Sequence, residues 1–454
     1  MRKRNIILVA GLLAFTSVWG QNTTSGWEDE SGKIPVKAYF ESGKLHFASK
    51  NENFHLWFDN RIYLDAAVYS PASNVNDLTS KTNKDLDDNQ FRFSNGVSIR
   101  RARFGVKATL YKKWFAELDL DFAYNEVEIK DMYLGYKFNN HFFVKAGNFK
   151  VPMSMERTTS SKYLMASERP MAVEAFADGR RLGLAGTGWG KHWWASAGVF
   201  GREVDIIQKE RNRGNDGYAL ATRVAVSPIY NEDMTIHVGG YFNYQTPSGS
   251  GLEDKTVLFR TFPESRVDRR RFVQAEISNV NHYYTTGFEL GFRYRKLLTY
   301  GEYIYNNISR YTYGANNQKT DLKNAVFNGW YATASYMILG ENRQYSPDEA
   351  EFGPMKMRRK GGNLEVAARI SNINMNDFHD PAAYITGGKA TSYSASLNWY
   401  PVRNVVIGLN YIYMNNDKYA DSKGQITKGG KPLSEVMPSG IDFNVFQLRT
   451  MISF

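Results

Sequence analysis

From residue 54 to the C-terminal residue, apolar and polar side chains keep changing places, and this alternation limits the possible folds more than any other feature. In residues 54–69, Phe54, Leu56, Phe58, Ile62, Leu64, Ala66 and Val68 alternate with a set that includes His55, Asp59, Arg61 and Asp65. Successive side chains of a strand point to opposite faces, so a period of two gathers the apolar groups on one face. The pattern returns at 97–111, 114–122, 127–138, 142–150, 181–188, 193–200, 218–226, 234–244, 285–295, 298–305, 327–337, 363–371, 391–400, 405–413 and 443–454. These segments predict about 16 antiparallel strands, an all-β chain. Many are near ten residues long, the length that crosses a bilayer when tilted.

The links alternate in length. Short ones at 112–113, 139–141, 190–192, 227–233, 296–297 and 401–404 separate long ones at 70–96, 151–180, 201–217, 245–284, 306–326, 372–390 and 414–442. Short turns at one rim and long loops at the other are expected of an outer-membrane barrel. Two links depart from this. The 123–126 link is short where an external loop is expected. The 338–362 link is long where a periplasmic turn is expected, which suggests strand inside it. Aromatic residues at strand ends, Trp114, Tyr136, Trp194, Tyr244, Trp399 and Tyr413, are placed for interfacial girdles.

The N-terminus points to the same compartment. Arg2, Lys3 and Arg4 precede an apolar run from Ile6 to Phe15, so residues 1–20 read as a signal peptide ending at Gly20. Residues 21–52 read as an irregular periplasmic lead-in, and 53–454 as the barrel domain. Cleavage removes three of the eleven net positive charges and leaves +8. Mean hydropathy is −0.49, and no later run is apolar enough for a membrane helix. Only strands remain for crossing a bilayer. The chain has no cysteine, so disulfides and thiolate metal sites are absent.

Residues 151–180 form an overlong link with dispersed charge. Arg157, Thr159, Ser160, Ser161, Lys162, Arg169 and Arg180 give it cations and hydroxyls suited to anions. Such a link is expected to fold into the lumen and set what passes.

Several runs resemble the phosphate-selective porin O and P family of outer-membrane proteins. They include IRRARFGVKATLYKKWFAELDLDF (99–122), KAGNFKVPMSMERTTSSKYLMASERP (145–170), AFADGRRLGL (175–184), PES (263–265), YMILGENRQY (336–345), GGNLEVAARISNINMND (361–377) and LNWYPVRNVVIGLNYIY (397–413). The resemblance implies a homotrimeric 16-stranded barrel in outer-membrane lipid that passes small anions and prefers phosphate. It implies that 151–180 is the constriction loop, with Thr159, Ser160, Ser161 and Lys162 matching a TSSK-like element. Glu168–Arg169–Pro170 matches an ERS-like one, with proline in place of serine. Arg100 and Arg101 match paired strand arginines, and Asp131 matches the acidic pore position. Arg260, Arg266, Arg269, Arg270 and Arg271 correspond loosely to a basic pore mouth. Arg61, Arg103, Lys107 and Lys145 join Arg100 and Arg101 as the expected pore-lining cations. In a regular strand Arg100 and Arg101 cannot both face the lumen, so one is expected at the rim or beside a bulge.

Two other readings stay open. One is a general or other nutrient-specific diffusion porin, whose lumen charges form structural pairs with Glu117, Asp119 or Asp121. The other is a non-channel barrel or secreted β-sandwich, acting as adhesin or enzyme. No nucleophile–base set, catalytic residue, cofactor motif or metal-ligand spacing among the seven histidines supports an enzyme. The dispersed basic residues do not suit nucleic acid.

Overall fold

The computed structural model describes residues 34–71, 93–204, 217–247, 255–314, 316–381, 383–420, 425–426 and 440–454. The expected signal peptide and most of the links 70–96, 201–217 and 414–442 lie outside the described residues.

Sixteen strands form the wall: β1 Arg61–Pro71, β2 Gly96–Leu110, β3 Trp114–Asp121, β4 Glu128–Asn139, β5 Phe142–Lys150, β6 Arg180–Trp189, β7 Trp193–Phe200, β8 Ala219–Tyr230, β9 Met234–Gln245, β10 Val280–Tyr294, β11 Leu297–Tyr313, β12 Ala325–Leu339, β13 Asn363–Asp377, β14 Ile385–Val402, β15 Val405–Asn416 and β16 Phe443–Ser453. Each pairs antiparallel with its neighbours, and β16 returns to β1 in a register running from Phe443↔Pro71 to Ser453↔Arg61. The sheet therefore closes and has no free edge along the wall. Each of the sixteen alternating segments of the sequence overlaps one of these strands, although the first half of 54–69 forms a separate strand.

The two faces reverse the pattern of a water-soluble protein. Outward side chains are large and apolar: Leu64, Val68, Val224, Phe288, Leu290, Leu397, Leu409 and Phe446 are all exposed. Inward ones are charged and buried, with Arg223, Glu289 and Glu365 fully enclosed. An apolar belt around a polar interior needs lipid outside, and this excludes the secreted sandwich. No helix among the described residues is long and apolar enough to cross a membrane.

Two local features depart from the sequence expectations, and a third, at Arg100 and Arg101, takes the bulge that strand parity required. Residues 36–41 and 44–49 form a hairpin, where an irregular lead-in was expected; Lys44–Ser49 pairs with Phe54–Phe58, which continues along β2. Trp194 faces inward and donates from Nε1 to the Asp348 carbonyl (2.9 Å), while its neighbour Trp193 is the exposed ring. A shift of one residue reverses the face, so Trp194 is not a girdle residue. Arg100 and Arg101 are both buried inside the barrel. Between β1 and β2 the register passes from Tyr63↔Arg101 to Leu64↔Ile99 and leaves Arg100 as the extra residue of a bulge.

Among the described residues three links fold into the lumen; one, the stretch 255–279, pairs Val257–Arg260 with Gln274–Ile277 and packs Phe259 and Phe272 against the inner wall. From the external rim, 151–179 carries short helical turns at Met155–Thr158 and Met171–Phe176. From the periplasmic rim, 340–362 carries a hairpin of Arg343–Ser346 and Glu351–Met355, the strand expected within that link.

Candidate functional site

The external link is held by an apolar underside and a polar rim. Val151, Met153, Met155, Met165, Met171, Ala172, Val173 and Phe176 are buried in one cluster with wall residues Ile304, Phe327 and Ile373. Burying each such side chain stabilises by roughly 1.5–3 kcal/mol, so the loop is tightly docked. Its first turn leaves N–H groups without helical partners. Wall carboxylates accept them: Met155 donates to Glu289 (3.0 Å) and Glu156 to Glu302 (2.9 Å). Ser154 donates to Glu302 as well (3.1 Å) and caps Arg157 N–H (3.1 Å).

Glu289 also joins the loop to the periplasmic hairpin. It pairs with Arg223 (2.9 Å) and lies 3.1 Å from His237 Nε2. Arg223 donates to the Ala350 carbonyl (2.8 Å), and His237 Nδ1 meets Tyr345 Oη at 2.9 Å. One buried wall carboxylate thus fixes both insertions.

Between the loop, the hairpin, the stretch 255–279 and strands β1 to β7 lies a cavity of about 1150 Å³. Of the expected site residues, Arg61, Arg100, Arg101, Arg103, Lys107, Asp131, Lys145, Arg157, Ser160, Ser161, Arg169, Arg180, Arg260, Arg266, Arg269 and Arg271 line it. Three do not. Thr159 is buried and donates to the Met155 carbonyl (2.8 Å). Lys162 faces a separate small cavity and pairs with Asp59 (2.8 Å). Arg270 turns to Asp268 (2.8 Å) and stacks over Phe93.

The lining cations fall into two groups. Most are paired. Arg100 makes a bidentate bond to Glu168 (2.6 and 2.8 Å), which also accepts from Arg449 (2.9 Å). Arg103 meets Asp119 and Asp121, Lys107 meets Glu117, and Arg180 meets Asp131 (2.6 Å). Arg157 and Arg266 share Glu174. Burial opposes ionisation of Glu168, but Arg100, Arg266 and Arg449 outweigh it and hold the carboxyl well below its usual range. Glu174 is held at about 2, where Arg266 and Arg157 overcome its burial. Arg169 donates to the carbonyls of Glu156 (2.8 Å) and Thr159 (2.6 Å), tying the loop to itself. Burial and the neighbouring Arg157 push it down to about 10.

The other group has no ion pair among the described residues. Arg101 lies over the Tyr63 ring (5.4 Å) and its buried Nε has no acceptor among the described residues. Lys145 sits against Tyr133 and Phe149 (5.0 and 4.5 Å). Arg269 and Arg271 stack on Tyr124 and Phe262 (3.8 and 4.0 Å). Ring faces position a cation without neutralising it, so its N–H groups stay free for an anion.

Sequence reasoning placed Glu168 in the constriction loop without its partners, and missed Glu289, Glu302, Arg449 and Tyr124 as organisers, and also Asp348, Glu349 and Glu351, which the periplasmic hairpin brings to the cavity. Inward parity marked Glu289 and Arg449 as lumen residues, but nothing local to them gave their partners. Glu117, Asp119 and Asp131 approach closely enough to suggest a cation site. Each already has a basic partner, so they do not fit one.

A closed sixteen-stranded barrel with an apolar belt, an inward loop and a charged lumen is an outer-membrane porin. The pattern of the family described as "Phosphate-selective porin O and P" matches residues 71–453, and the chain belongs to that family. It is 24% identical to Porin O of Pseudomonas aeruginosa, over 93% of this chain and 96% of that protein. It is also 24% identical to an uncharacterized protein of Caulobacter vibrioides, over 70% of this chain and 62% of that protein. Among solved structures it is similar to an anion-selective porin from Comamonas acidovorans (12% identity, TM-score 0.49, 88% of this chain and 100% of that one). It is also similar to the trimer form of OmpT from Vibrio cholerae (11% identity, TM-score 0.46, 88% and 99%).

Proposed function

We propose that this porin passes small anions by diffusion and prefers phosphate. One observation carries the reading: Arg101, Lys145, Arg269 and Arg271 face the cavity with no carboxylate partner among the described residues. Phosphate offers several acceptor oxygens, and Arg meets two of them at once, whereas chloride is a single point charge. Several moderate sites in series suit conduction better than one tight site. The loop cations Arg157, Lys162, Arg169 and Arg180, with Ser160 and Ser161, shape and polarise the constriction around these sites. The family assignment supports the phosphate preference, and we extend it to assembly as a homotrimer. Residues 1–20 are assigned as the export signal and 21–52 as the periplasmic lead-in to the barrel domain.

Planar-bilayer recording tests the reading. A potassium chloride gradient should give a reversal potential of anion selectivity, and added phosphate should block the chloride current. Cation selectivity, or current indifferent to phosphate, contradicts it.

A further inference from the structure

The external link between β3 and β4 is unusually short, and its geometry is strained. Tyr124 and Asn125 both take left-handed backbone angles (φ 64° and 62°). A tyrosine in that region costs of order 1 kcal/mol or more, and such strain gathers at functional sites. Here the strain turns the Tyr124 side chain toward the cavity, which it lines beside Arg100, Arg101, Arg266 and Arg269. The ring lies under Arg269, with the guanidinium carbon 3.8 Å from its centroid. The phenol oxygen is buried and has no hydrogen-bond partner among the described residues. An unpaired buried hydroxyl is costly, and in a site it points to an absent ligand.

We propose that Tyr124 is a specificity-determining residue of the pore. Its phenol donates a hydrogen bond to a tetrahedral oxyanion, and its ring holds Arg269 toward the same ion. Arg101 lines the same cavity, and its Nε has no acceptor among the described residues, so one oxyanion meets a neutral donor and two guanidinium groups without ion pairs. Chloride gains little from a neutral phenol once two cations are present. A multi-oxygen ion uses all three, so the phenol separates the two classes of anion. This deepens the phosphate reading above and rests on it.

The test is chloride conductance and its block by inorganic phosphate in bilayers, for the parent chain and two variants. Tyr124→Phe keeps the ring, the backbone turn and the stack on Arg269, and removes only the hydroxyl. Its half-blocking phosphate concentration should rise about three- to tenfold, with chloride conductance in phosphate-free solution within about twofold of the parent. Tyr124→Leu, which also frees Arg269, should weaken block further and lower anion-over-cation permeability. Unchanged block in Tyr124→Phe overturns the inference. So does an equal fall in chloride conductance and block, since Tyr124 would then only shape the lumen. A parent channel that phosphate does not block removes the underlying reading and the inference together, and the parent recording alone separates that case.

Discussion

The loop 151–179 and the stretch 255–279 both bring arginines to the same cavity, yet they treat those charges differently. In the first, Arg157 is bound to Glu174 and Arg169 to backbone carbonyls. In the second, Arg266 and Arg270 are also paired, with Glu174 and Asp268, but Arg269 and Arg271 stack on aromatic rings and have no ion pair among the described residues. The first arrangement spends charge on holding a shape. The second holds charge in place for a passing ion. Arginine content alone does not distinguish a scaffold from a selectivity element; the partner does.

Removing a scaffold residue should have the largest effect. Arg169→Ala leaves buried carbonyls of the loop without donors, at about 1–3 kcal/mol each. The loop should loosen, with a several-fold rise in single-channel conductance, faster proteolysis within 151–179 and loss of phosphate block. Unchanged conductance with reduced block would move Arg169 to the selectivity group.

Single substitutions on the free cations come next. Arg101→Gln should raise the half-blocking phosphate concentration about tenfold at near-normal loop protection, since a charged hydrogen bond contributes about 1.5–3 kcal/mol. Arg180→Gln, which leaves Asp131 unpaired, should lower conductance through the added negative charge more than it weakens block.

Changes with pH should be smaller. Burial, with Arg61 nearby, pushes Lys162 down to about 8, so it loses its positive charge as pH rises through that value. Burial and Glu349 push Glu351, on the periplasmic hairpin, up to about 8, so it gains a negative charge over the same range. Both changes make the lumen less favourable to anions. Chloride current should fall between pH 7 and 9, by about twofold on the charge balance alone. Lys162→Gln and Glu351→Gln should each flatten part of the fall. A flat profile in the parent would remove these two groups from the conduction path.

Strand order was readable from the sequence because each wall strand repeats one local rule, apolar toward lipid and polar toward the lumen. Charge pairing was not readable, because it depends on distant contacts. Glu168 meets Arg449, 281 positions away, and Glu289 meets Met155 through a loop that must first fold inward. The bulge at Arg100 depends on the register between Tyr63 and Leu64, on the facing strand. Trp194 shows how a correct strand can be assigned the wrong face at a single position. The 151–180 link was recognisable by its length and basic residues. Its apolar underside was in plain view as Met153, Met155, Met165 and Met171, but without a helical or strand period it had no readable partner.

The most direct test compares two double variants in bilayers by half-blocking phosphate concentration. Arg101→Gln with Arg269→Gln removes two free cations, and Arg157→Gln with Arg180→Gln removes two paired ones. The first should raise the concentration by about 30-fold or more and the second by about threefold or less, if well-separated effects add. Equal shifts, or a larger shift in the second variant, would contradict the assignment of phosphate preference to the unpaired arginines.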